Sequence, residues 1–253
     1  MIHRSIRHAS VVALILFSPS LAFAQDYTTR VIARNLDRPT GLALHGGDKL
    51  YFTEIPTPGV GGGSNGVKEL SIHHGTVRTI HTGEPEPVNL AVGANGDLYW
   101  TCRSAGVILE QPRRPASSTA SVLLAGLARP TGIAVDGDGN VYVTQVPMPG
   151  VGGAGNSVSV ISPLDPQNPT VLSMGEPEPA DVAASREGTL YWTCRTAGVI
   201  LTRSPQGAIA LLLSDLDQPN GIALDEQRGI LYWTELPTPG VSGAQGGSNR
   251  VMA

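Results

Sequence analysis

The sequence predicts an all-β fold, a β-propeller of five four-stranded blades, on three observations. First, beyond residue 24 every Trp and Phe sits in one short motif that occurs five times. Its copies are Tyr51-Phe52-Thr53, Tyr99-Trp100-Thr101, Tyr142-Val143-Thr144, Tyr191-Trp192-Thr193 and Tyr232-Trp233-Thr234. Second, the copies recur about every 45 residues, the period of a supersecondary unit that buries its apolar faces only by stacking on copies of itself. Third, 31 Gly and 20 Pro punctuate β-branched and aromatic runs, with no sustained helical period beyond the first 24 residues.

The chain has 253 residues and a formal net charge of −4. It opens with a basic stretch (His3, Arg4, Arg7, His8), an apolar run from Val11 to Phe17, and Ala22-Phe23-Ala24. This is the layout of a signal peptide over residues 1–24, with cleavage before Gln25 and a propeller domain over 25–253. The apolar run is too short for a permanent span, and no later stretch is apolar and long enough. An exported, periplasmic or extracellular, monomeric protein without a transmembrane segment is expected. The weak negative charge gives no basic stripe, so nucleic acid is not an expected partner. Cys102 and Cys194 occupy the same slot of two repeats, and buried, unpaired thiols are expected there rather than a disulfide.

Each repeat opens with a Pro-led apolar run: Pro39–Leu44, Pro87–Val92, Pro130–Val135, Pro179–Ala184 and Pro219–Leu224. Small and branched residues suit a strand buried on both faces. A polar hairpin follows, such as Ala94-Asn95-Gly96-Asp97 or Asp136-Gly137-Asp138-Gly139-Asn140, and then the aromatic strand. Third strands are expected near Val67–Ile72, Val107–Glu110, Val158–Ile161 and Val199–Thr202, and fourth strands near Val77–His81, Ser121–Leu124, Thr170–Leu172 and Ala208–Leu212. In the aromatic strand Leu98, Trp100 and Cys102 alternate with Tyr99, Thr101 and Arg103, large residues on both faces. That fits a blade stacked between two neighbours. The last repeat has only a short third strand, Asn249–Ala253. The segment Tyr27–Ala33 reads as the missing fourth strand, which would close a five-bladed ring and remove its open edges. A ring cut short from six blades is the alternative.

Odd and even repeats differ. Repeats one, three and five carry a Pro-Gly loop after the aromatic strand: Pro56–Val60, Pro147–Val151 and Pro237–Val241. Repeats two and four have short loops after Cys102 and Cys194, and are preceded by Gly83-Glu84-Pro85-Glu86-Pro87 and Gly175-Glu176-Pro177-Glu178-Pro179.

The stretch Leu216-Asp217-Gln218-Pro219-Asn220-Gly221-Ile222-Ala223-Leu224-Asp225, with Leu231-Tyr232-Trp233-Thr234-Glu235, resembles a YWTD repeat of lipoprotein-receptor propellers. It is similar also to NHL repeats and to the gluconolactonase/senescence-marker family. The likeness covers nearly all of 25–253. YWTD repeats carry Asp after Thr, and this reading assigns that slot to Glu54, Arg103, Gln145, Arg195 and Glu235. The lactonase likeness implies a divalent cation, such as calcium, at the ring centre. It also implies ligands from turns like Pro219-Asn220-Gly221, which makes Asn89, Asp181 and Asn220 the candidate metal set.

In a propeller the loops after the second strand and those entering the first share one face. That face is expected to gather Glu54, Glu84, Glu86, Arg103, Gln145, Glu176, Glu178, Arg195 and Glu235. Rigidly held loops commonly carry binding residues. The arginines would clamp an anion or pair with the neighbouring glutamates as a structural tie. Other signals are weaker. Gly62-Gly63-Ser64-Asn65-Gly66 lacks the helix of a nucleophile elbow. Asp136–Asn140 lacks the closing Glu of a calcium loop. His73 and His74 point to opposite strand faces. The expected function is non-catalytic binding of a protein, peptide or glycan, with no cofactor and no assignable catalytic residue. A metal-dependent lactonase or esterase-like hydrolase at the channel mouth is the alternative.

Overall fold

The computed structural model describes residues 32–34, 36, 38–55, 65–114, 119–147, 155–236 and 250–253, all within one compact unit from Ile32 to Ala253. Nineteen antiparallel strands form five sheets, and no helix occurs among the described residues. Sheet one is β1 (Pro39–His45), β2 (Lys49–Glu54), β3 (Gly66–Ser71) and β4 (Val77–Thr82). Sheet two is β5 (Pro87–Val92), β6 (Leu98–Cys102), β7 (Val107–Gln111) and β8 (Ser121–Leu124). Sheet three is β9 (Pro130–Val135), β10 (Val141–Gln145), β11 (Ser157–Ser162) and β12 (Asp165–Met174). Sheet four is β13 (Pro179–Ala184), β14 (Leu190–Cys194), β15 (Val199–Arg203) and β16 (Ile209–Leu213). Sheet five has three strands: β17 (Pro219–Asp225), β18 (Ile230–Glu235) and β19 (Arg250–Met252). Most of Tyr27–Ala33, the three Pro-Gly loops and the leader lie outside the described residues.

The Pro-led strands stack in succession, β1 on β5, β5 on β9, β9 on β13 and β13 on β17. Each sheet is thus one blade. The aromatic strands fill the space between blades: Tyr51 and Val67 of blade one meet Leu90 and Trp100 of blade two, and Ala91 and Tyr99 meet Ile133 and Val143 of blade three. Tyr142 and Val158 in turn meet Val182 and Trp192 of blade four. Phe52, Trp100 and Trp192 are among the largest fully buried side chains, as expected of strands covered on both faces.

The Thr that ends each aromatic motif ties blade to blade. Its hydroxyl accepts a hydrogen bond from an amide of its own first strand (Gly41 to Thr53, Asn89 to Thr101, Gly132 to Thr144, Asp181 to Thr193, Gly221 to Thr234). In the first four blades it donates onward to a first-strand carbonyl of the next blade. Thr53 reaches Val88 at 3.2 Å, Thr101 reaches Thr131 at 2.9 Å, Thr144 reaches Ala180 at 3.4 Å and Thr193 reaches Asn220 at 2.6 Å. One small, buried hydroxyl so satisfies two backbone groups that no strand ladder reaches.

The corner entering each blade is also repeated. The residue before each leading Pro is left-handed: Arg38, Glu86, Arg129, Glu178 and Gln218 have φ between 46° and 60°. A residue ahead of Pro ordinarily prefers extended backbone, so each corner stores strain of about 1 kcal/mol or more. The carbonyl of each is held by an amide just past the aromatic strand, for instance Arg103 N to Glu86 O and Arg195 N to Glu178 O, both at 3.0 Å.

Strand register corrects one expectation. Pro39 faces Glu54, Pro87 faces Cys102, Pro130 faces Gln145, Pro179 faces Cys194 and Pro219 faces Glu235. The slot after Thr therefore holds Glu54, Cys102, Gln145, Cys194 and Glu235. Arg103 and Arg195 stand one residue beyond it, where the strand has ended and the side chain is free to turn toward the channel.

Candidate functional site at the channel mouth

The first strands of all five blades converge on a cavity of about 630 Å³, and Asn89, Asp181, Asn220, Arg103, Arg195 and Trp233 all line it. The Gly-Glu-Pro-Glu-Pro segments set the arginines. Their second glutamates, Glu86 and Glu178, sit at the left-handed corners and point back to Arg103 and Arg195. Arg103 Nη2 pairs with Glu86, and Arg195 Nη1 reaches Glu178 at 3.1 Å. Both carboxylates are buried, while the arginine side chains remain 30% and 32% exposed. Arg195 Nη2 also donates to Asn220 Oδ1 at 2.7 Å. Among the described residues the Nε of each arginine is buried without a hydrogen-bond partner. Each guanidinium is oriented by one carboxylate and lines the cavity with part of its side chain exposed, the disposition that suits a second anionic group.

The first glutamates do different work. Glu84 and Glu176 are buried and accept the thiol protons of Cys102 and Cys194 at 3.4 and 3.6 Å. Burial, and then the adjacent carboxylate, push both thiols well above the usual cysteine range. Both cysteines are free and buried, as expected. Glu84 also pairs with His81, and Glu176 accepts from Ser173. In the odd blades Glu54 pairs with Lys68 at 3.5 Å, and Glu235 accepts the indole N–H of Trp233 at 3.2 Å. Gln145 accepts from Ala128 N and donates to Ser157. Of the nine sequence-predicted ligand residues, the structure brings Arg103 and Arg195 to the cavity. The glutamates and Gln145 brace the blades behind them.

The three candidate metal ligands also meet at the cavity. Asn89 Nδ2 crosses from blade two to donate to Asp181 Oδ1 of blade four at 2.9 Å. Asp181 also accepts from the amides of Val182 (2.9 Å) and Ile222 (3.1 Å). This bridge lies against the blade between: a Cβ at Gly132 would come within 2.5 Å of Asp181 Cα, so only glycine fits there. Burial raises the Asp181 pKa to about 7, against the three N–H donors that favour its carboxylate. The acceptor oxygens are spoken for. Asn89 Oδ1 takes Leu90 N at 2.8 Å, and Asn220 Oδ1 takes Arg195. A hard divalent cation wants six to eight oxygen donors, including several carboxylates. One carboxylate, two engaged amides and a neighbouring guanidinium are a poor match. Among the described residues no group of three His, Cys, Asp or Glu is arranged to hold a metal.

No protein-family model matches the chain. It is 28% identical to low-density lipoprotein receptor-related protein 1 of Pyricularia oryzae, over 78% of this chain and 75% of that one. Among solved structures it resembles a chain of a nidogen/laminin complex (TM-score 0.64, 22% identity, 78% of this chain and 72% of that chain). It also resembles a gluconolactonase of Xanthomonas campestris (TM-score 0.62, 16% identity, 80% and 70%). The chain is a β-propeller of YWTD-like repeats. The repeats thus keep the YWTD frame while exchanging its Asp for Glu, Gln or Cys.

Sequence reasoning missed two features. The stitching by Thr was visible as an invariant letter but not as a bond between blades, because its partner is backbone. Trp233 borders the cavity although it is buried like Trp100 and Trp192, with which it shares its motif, and nothing local distinguishes the three.

Proposed function

We propose that this propeller is an exported, non-catalytic binding module that grips an anionic group of a protein, peptide or glycan ligand between Arg103 and Arg195. The observation that carries this reading is the pair of partly exposed arginines lining one cavity, each held by a single buried carboxylate. Trp233, itself largely buried, borders the same cavity. Export follows from the leader and its Ala22-Phe23-Ala24 pattern; no helix among the described residues is long and apolar enough to cross a membrane. The engaged oxygens around Asp181 favour binding over metal-assisted hydrolysis.

The test is titration of the protein with acidic peptides and with sulfated or uronate-bearing oligosaccharides, beside their neutral counterparts. Anionic probes should bind, and Arg103→Gln with Arg195→Gln should weaken them by about 30-fold or more, on the order of two charge-assisted contacts. Equal binding of neutral probes removes the reading. Hydrolysis of gluconolactone that requires added calcium and Asn220 would replace it with the enzymatic one.

A further inference from the structure

Arg103 and Arg195 stand where the first strands of their blades begin. At the opposite strand ends, where β1 turns into β2 and β5 into β6, blades one and two enclose a second cavity of about 420 Å³. Lys49 and Tyr51 of β2, Glu69 of β3 and Arg78 of β4 line it from one side. Gly96 of the β5–β6 turn and Arg113, just past β7, line it from the other. Three permanent cations and a single carboxylate therefore face one space, in a chain whose net charge is −4.

The carboxylate is already shared. Lys49 Nζ at 3.1 Å and Arg78 Nη2 at 3.4 Å meet the same oxygen, Glu69 Oε2, and the Tyr51 hydroxyl also donates to Glu69. The Glu69 side chain is 14% exposed and that of Arg78 69%, so the carboxylate lies deeper than the guanidinium it orients. The Arg113 guanidinium pairs with no carboxylate among the described residues. Asp97 Oδ1 instead fixes the Arg113 backbone amide at 2.7 Å, and Arg113 Nη1 lies 3.4 Å from His45 Nε2. Gly96, with φ 88°, makes room for this. A Cβ there would come within 2.6 Å of Arg113 Cδ and 3.2 Å of both Arg113 Nη1 and His45 Nε2.

The arrangement is particular to this interface. Aligned on the motif tyrosine, Lys49, Glu69 and Arg78 become Asp97, Glu110 and Ser121 in blade two. They become Asn140, Val160 and Thr170 in blade three, and Thr189, Thr202 and Ala210 in blade four. No cation stands at any of these positions, so the repeat frame does not require the charges of blade one.

We propose that this cavity binds a doubly charged tetrahedral oxyanion, inorganic phosphate or sulfate or a phosphate monoester, held by Arg78 and Arg113 with Lys49 beside them. Three fixed positive charges against one negative leave an excess of two, which such an anion matches. Planar guanidiniums also engage its oxygens in pairs. The site is separate from the channel mouth and does not depend on the binding function proposed there.

The test is calorimetric titration in about 0.15 M sodium chloride, where remote charges are screened. Inorganic phosphate, inorganic sulfate and glucose 6-phosphate serve as probes, with glucose as the neutral control. Both the unsubstituted protein and the Arg103→Gln/Arg195→Gln protein are titrated, the second to remove the channel mouth as a competing anion site. In each, the anions should bind and glucose should not. Arg113→Gln should weaken that binding by about tenfold, as should Arg78→Gln, each removing a charge-assisted contact. Arg186→Gln removes the same charge from an 84% exposed side chain of blade four and should change it by less than about twofold. Arg113 is exposed, so its substitution should leave the Tm in anion-free buffer unchanged. Tighter binding of glucose 6-phosphate than of inorganic phosphate identifies an esterified ligand, and equal binding a free anion; either upholds the site. Failure of all the anions to bind overturns it, as do equal losses from Arg113→Gln and Arg186→Gln. Neither failure touches the reading of Arg103 and Arg195, which the peptide and oligosaccharide titrations decide.

Discussion

Blades two and four are the same device set 92 residues apart. Glu84 and Glu176 hold thiols, Glu86 and Glu178 hold arginines, and Trp100 and Trp192 fill the space between blades. The two diverge where they face the channel. Asn89 in one is Asp181 in the other, and these two side chains bond to each other. Arg195 has a second tether in Asn220, where the blade after Arg103 offers Thr131. The frame is duplicated, but the channel floor is a complementary pair that neither blade makes alone. Duplication supplied the walls, and the site came from making two copies unequal.

The frame is most directly challenged at its tryptophans. Trp100→Ala and Trp192→Ala should each cost about 3–5 kcal/mol, by similar amounts if the two frames are equivalent, read as equal shifts of the urea midpoint. The channel floor should break the equivalence. With its pKa raised to about 7 from an ordinary 3.8, Asp181 keeps its proton in the folded protein over a range where the unfolded chain has lost it. Its contribution to stability is complete below about pH 4 and declines as pH rises through 7, by at most about 4 kcal/mol. Asp181→Asn should remove that decline in urea melts between pH 4 and 8. Asn89→Asp, which makes the two blades identical here, should steepen it by placing two carboxyls in contact.

Gly132→Ala should cost about 1–3 kcal/mol by overpacking, because its Cβ meets Asp181 backbone. Gly221→Ala, whose Cβ would meet only Thr234 Oγ1 at 3.3 Å and Asp181 Oδ2 at 3.9 Å, should cost clearly less. Smallest of all, Asn220→Thr copies the blade-two arrangement onto Arg195. It should change stability by less than about 1 kcal/mol, while making the response of anionic probes to Arg195→Gln match that to Arg103→Gln.

The blade and its strands were legible in the sequence because the repeat fixes both periodicity and punctuation. The third and fourth strands lie where the apolar runs placed them, and β19 is as short as its letters suggest. The channel was legible in part. Asn89, Asp181 and Asn220 were recognisable as a set only through the likeness to gluconolactonases, with Asn89 and Asp181 one position later in their turns than Asn220. Their use was not, because whether an Asn oxygen is open to a ligand depends on Leu90 N and on Arg195, neighbours that spacing does not reveal. The glutamates of the Gly-Glu-Pro-Glu-Pro segments look alike in sequence. A left-handed corner turns Glu86 and Glu178 toward arginine and leaves Glu84 and Glu176 facing sulfur. The slot after Thr was misread at Arg103 and Arg195, since Cys102 and Cys194 directly follow Thr101 and Thr193 in the chain and the register pairs those cysteines with the leading prolines.

The two thiols carry a practical consequence. Each is locked in its neutral form against a buried glutamate, and only the anion attacks oxidants or alkylating agents. Neither sulfur should therefore react while its own sheet is intact. The rate at which each is modified then serves as a gauge of how often that wedge of the molecule comes apart, with one native reporter in each half.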